Sequence, residues 1–87
     1  MRTFEQIHES ITRNYMLISR ANRFVEWMKE HSKVEFTNHS EIYWSGVAMQ
    51  YHKGRSVKAE LNRQKDVIME RYDLTPEDII AFLKGQK

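Results

Sequence analysis

The 87-residue sequence contains no cysteine, a single proline and three glycines. Without cysteine there are no disulfide staples, thiolate metal ligands, thiol nucleophiles or thiol redox chemistry, and a reducing, cytoplasmic compartment is expected. So little proline and glycine excludes collagen-like, proline-rich and flexible-linker chains. Long apolar runs are missing as well. The N-terminal stretch MRTFEQIHESITRNYML mixes apolar with charged residues, so neither a signal peptide nor a membrane span is expected.

What is present describes a folded chain. With 40% hydrophobic and 30% charged residues, residues 1–87 are expected to form a single domain. A chain this short buries a modest core, so a partner subunit is expected to add stability and a homo-oligomer is expected. The net charge of +2 is unevenly spread. Residues 51–65 carry Lys53, Arg55, Lys58, Arg63 and Lys65 against Glu60 alone, while residues 1–50 balance six basic with six acidic side chains. A local cationic excess of this kind draws polyanions.

Thr3 followed by Gln6 reads as a helix cap, and Phe4, Ile7, Ile11, Ile18, Ala21, Val25 and Met28 recur at helical spacing, which predicts a helix over 3–31. Asn14 interrupts that stripe, where a buried Asn would fix the register of a helical pair. Met16, Leu17, Phe24 and Trp27 add a second apolar wing beside Arg13, Arg20 and Arg23, a mixture common to protein interfaces and base-stacking surfaces.

After Lys33 the pattern changes to alternation, Val34/Phe36 and Ile42/Trp44 around TNHS, which predicts strands at 33–37 and 42–51 in a short antiparallel hairpin. The HKGR turn and Ser56 as N-cap then predict a helix over 56–72. Thr75-Pro76-Glu77-Asp78 predicts a final helix over 76–84. The expected class is therefore α+β. The alternative is all-α, with residues 39–72 as one helix packed on the first as a hairpin, at the cost of two glycines inside a helix.

In this arrangement Lys53, Gly54, Arg55 and Lys58 surround the start of a helix, a place suited to phosphate. Arg63 and Lys65 extend the cationic surface, and Tyr51 and His52 are positioned to stack or touch groove edges. The order of SEIYWSG, KGRS and LTPEDIIAFLK is similar to that of histone-like nucleoid-structuring proteins, and the resemblance implies insertion of Lys53, Gly54 and Arg55 into the minor groove of DNA. In this sequence VAMQYH separates the strand from the turn, and 56–72 is longer than that family's helix. The strand-then-lysine order also resembles double-stranded-RNA-binding domains, although SVKAELNRQ lacks their paired lysines. Trp44-Ser45-Gly46 resembles the WxG of helical hairpins exported by type VII secretion, whose C-terminal Tyr-x-x-x-acid is replaced here by Tyr72 and Pro76. None of the three is adopted.

His8, His31, His39 and His52 lack metal-ligand spacing, and no nucleophile turn accompanies them, so neither a metal, a cofactor nor an enzyme is expected. The expected function is nucleic-acid binding through the HKGR turn and the following helix. Self-association is expected through Ile7, Ile11, Asn14, Ile18, Phe24 and Trp27. The alternative is a protein-interaction module, such as a phage or bacterial inhibitor that blocks a larger complex.

Overall fold

The computed structural model describes residues 4–86, with side chains from residue 13 onward. The described residues form five helices, α1 (Phe4–His31), α2 (Asn38–His52), α3 (Lys58–Arg63), α4 (Lys65–Tyr72) and α5 (Pro76–Gly85), and no strand. The α+β expectation is thereby corrected, and the all-α alternative fits in class, although 39–72 is divided among α2, α3 and α4 instead of forming one helix. The cap expected at Thr3 lies outside the described residues.

Residues 33–37, expected as a strand, are loop, and 42–51 fall inside α2. Local chemistry accounts for the start of α2: the Thr37 side chain accepts a hydrogen bond from the Ser40 N–H at 3.2 Å, satisfying one of the donors a helix leaves free. Packing accounts for the rest. Alternation places Ile42 and Trp44 on one face, yet the helix turns them apart, Ile42 remaining 74% exposed and Trp44 only 3%. Trp44, Val47 and Ala48 instead form one helical face, which is buried. Gly46 costs α2 about 1 kcal/mol relative to Ala, and burial of this face outweighs it.

The single helix expected over 56–72 is also corrected. It is two helices meeting at Gln64, whose N–H donates to the Glu60 carbonyl and whose carbonyl accepts from the Ile68 N–H. The N-cap of α3 is Val57 rather than Ser56; Ser56 is exposed, whereas Val57 is buried. At the C-terminal end, Thr75 and Asp78 form a reciprocal capping box with Pro76 at the first helical position, so α5 begins where its local signals place it.

The core lies between the C-terminal half of α1 and the other four helices. Phe24, Met28, Leu61, Ile68, Ile79 and Leu83 are fully buried there. Phe24 meets Trp44 edge-on at 6.2 Å, and Trp27 stacks on Phe82 at 4.3 Å. The α1–α2 loop is tied to the end of α4, where the Lys33 N–H donates to the Arg71 carbonyl at 2.8 Å. No described helix is long and apolar enough to cross a membrane.

Candidate nucleic-acid interface

The HKGR turn is built as the end of α2. Gly54 has φ 86, the left-handed conformation open to glycine, while the Gly54 N–H donates to the Tyr51 carbonyl and the Arg55 N–H to the Gln50 carbonyl. This pair of bonds is a Schellman closure, which satisfies carbonyls left free at a helix C-terminus. The apolar contact that often accompanies it is replaced by a polar one, the Arg55 guanidinium donating to Gln50 Oε1 at 2.8 Å. His52, Lys53 and Arg55 therefore stand at the negative end of the α2 dipole, which favours cations. A phosphate cradle at the start of a helix capped by Ser56 is not formed.

The basic residues divide into two groups. His52 and Lys53 join Arg13, Met16, Leu17 and Arg20 of α1 around a groove of about 420 Å³. Among the described residues, no carboxylate lines it. Arg20 Nε is buried and has no hydrogen-bond partner among the described residues. His52 is oriented by Gln86: its Nε2 lies 2.8 Å from Gln86 Oε1, and the Gln86 amide donates to the Arg20 carbonyl at 3.0 Å. The arginine-rich wing of α1 and the HKGR turn, far apart along the chain, are thus brought to one site.

Arg63 belongs elsewhere. Its guanidinium donates to both oxygens of Glu60, the shorter bonds being 2.8 Å, and Glu60 also accepts from the Tyr43 hydroxyl at 2.6 Å. The Tyr43 bond first, and Arg63 second, hold the Glu60 carboxyl below its ordinary pKa. The Tyr43 phenol moves upward, chiefly through burial and then through its bond to Glu60. Arg63 is raised in turn by Glu60. This compact network neutralises Arg63 against the single acid of the basic segment. Lys58 and Lys65 are exposed at the starts of α3 and α4, outside the groove, and Tyr51 packs partly into the core with its ring edge-on to His52 at 5.4 Å.

Of the expected interface residues, Asn14 and Ile18 are exposed. Phe24 is fully buried and Trp27 is committed to its stack on Phe82, so both serve the chain's own core. The side chains of Ile7 and Ile11 lie outside the described residues. Tyr15, which the apolar stripe did not include, is 72% exposed beside Ile18. No group of three or more potential metal ligands occurs among the described residues. No family model, curated protein or solved structure matches this chain.

Proposed function

We propose that this protein binds nucleic acid through the groove between α1 and the end of α2. Arg13, Arg20 and Lys53 would contact phosphates, with His52 beside them and Arg55 two residues on in the same turn. The observation that carries this reading is the convergence of Arg13, Arg20, His52 and Lys53, from distant parts of the sequence, on one groove. Backbone contacts of this kind give sequence-tolerant, strongly salt-dependent binding.

A mobility-shift titration at low salt tests it. Binding should weaken steeply with added salt, and Arg13→Ala with Lys53→Ala should lower the salt slope by about one for each phosphate left unneutralised. Absence of low-salt binding, or binding indifferent to both substitutions, overturns it.

Self-association through α1 belongs to the same proposal, supported by the exposure of Tyr15 and Ile18 on that helix. Sedimentation of Ile18→Glu beside the parent chain tests it: a parent dimer that the variant dissociates is expected, and a monomeric parent overturns it. The second reading, a protein-interaction module, is favoured by the exposure of these same side chains together with Ile42 and Met69. Capture of a partner that survives nuclease treatment and is abolished by Ile18→Glu would favour it over the first.

A further inference from the structure

A second recess lies between α2 and α4, away from the groove. It encloses about 230 Å³, and Tyr43, Trp44 and Tyr72 form its aromatic walls. The walls are fixed in place. Tyr43 is held by its 2.6 Å bond to Glu60, and the Trp44 indole N–H donates to the Tyr72 hydroxyl at 3.2 Å. The rings meet edge-on, Tyr43 to Trp44 at 4.9 Å and Trp44 to Tyr72 at 5.6 Å. Much of the ordering that a ligand would otherwise impose is already in place.

Its rim is chemically different. His39, Gln64 and Arg71 line the opening, and their side chains make no hydrogen bond or ion pair among the described residues. Among the described residues, no Asp or Glu lines the recess. Gln64 sits at the break between α3 and α4. The recess thus combines rigid aromatic walls, one free amide and two basic side chains.

Each part selects a ligand property. The volume is below that of drug-sized pockets, so it suits a single ring system. The aromatic walls suit a flat π-face. An amide presents a donor and an acceptor in one plane, as a nucleobase edge requires. Arg71 and His39 favour an anionic substituent. We propose that the α2–α4 recess binds one unpaired nucleobase, with its phosphate against Arg71 and His39. This rests on the nucleic-acid reading for its class of ligand but uses none of the groove's residues, so the two can fail separately.

The test is an NMR titration of the ¹⁵N-labelled full chain with adenosine and uridine 5′-monophosphates, at concentrations up to about 10 mM, where even a millimolar site responds. Saturable shifts of the Gln64 side-chain amide and the Trp44 indole N–H are expected, with ribose 5-phosphate at least tenfold weaker. Gln64→Ala and Arg71→Ala should each weaken nucleotide binding several-fold, and Val67→Trp, which fills the opening, should abolish it. Gln64 is half-buried and Arg71 is exposed, so those variants carry the test even where Val67→Trp fails to fold.

An equal response to ribose 5-phosphate overturns the proposal in favour of simple anion contact. A response to N-acetyltyrosinamide with none to nucleotides overturns it in favour of a peptide side chain. Oligonucleotide binding that depends on Arg13 and Lys53, with no nucleotide response in the recess, overturns it while leaving the groove reading intact. A nucleotide response in the recess without groove-dependent oligonucleotide binding does the reverse.

Discussion

α3 and α5 begin in opposite ways. The start of α5 is secured by its own residues: the Asp78 N–H donates to Thr75 Oγ1 at 3.1 Å, and the Asp78 carboxylate accepts from the Thr75 N–H at 3.0 Å. α3 begins at Val57 with no side-chain cap at all. It is held from outside by the burial of Val57 and Leu61 and by the bond from Tyr43 to Glu60. One helix start is specified locally, the other by the tertiary structure, and each should fail in its own manner.

The largest effect is expected at the tertiary anchor. Leu61 is fully buried, so Leu61→Ala should cost about 2–5 kcal/mol, measured by chemical denaturation. Next is the turn that ends α2 and delivers the chain to α3. A Cβ at Gly54 would meet nothing within 4 Å, so Gly54→Ala tests backbone conformation alone; at φ 86 it should cost about 1–2 kcal/mol. Thr75→Ala removes the local cap and should cost about 1 kcal/mol by the same measurement.

A smaller effect should follow pH. Glu60 has a folded-state pKa below its ordinary 4.5, so its contribution is present above that value and disappears as pH falls through the folded-state pKa. Comparing Glu60→Gln with the parent across an acid series should show part of this acid-side loss removed. Solvent screening keeps the effect modest. Least of all, Ser56→Ala should change stability by less than about 0.5 kcal/mol; a loss comparable to that of Thr75→Ala would restore Ser56 as a cap and dissolve the contrast between the two starts.

The contrast also explains what was legible in the sequence. The final helix was expected over 76–84 because Thr75, Pro76 and Asp78 act on one another within four residues. The first helix was legible for a related reason, its apolar spacing persisting over several turns. α2 was not. Ile42, Tyr43, Trp44 and Val47 carry strand preferences, and the burial of Trp44, Val47 and Ala48 decides the helix, information held in residues far away in the chain. The separation of α3 from α4 at Gln64 had no proline or glycine to announce it.

The candidate site divides along the same line. His52, Lys53 and Arg13 were each recognisable as basic, and the turn after His52 was recognisable from Gly54. That the turn closes α2 depends on bonds from Gly54 and Arg55 to carbonyls behind them, which composition does not reveal. Arg13 and Arg20 join His52 and Lys53 only because α1 and α2 lie side by side. The Gln86 bond to His52 spans 34 positions in the chain, and no pattern signals it.

The two tryptophans occupy unlike surroundings, and this gives the molecule a pair of optical reporters. Trp44 is almost wholly enclosed with its indole N–H bonded to Tyr72, whereas Trp27 is partly open and lies flat on Phe82. A soluble quencher should therefore reach Trp27 more readily than Trp44. Replacing Trp27 with Phe would leave a chain whose remaining emission follows events in the α2–α4 recess, with no dye attached.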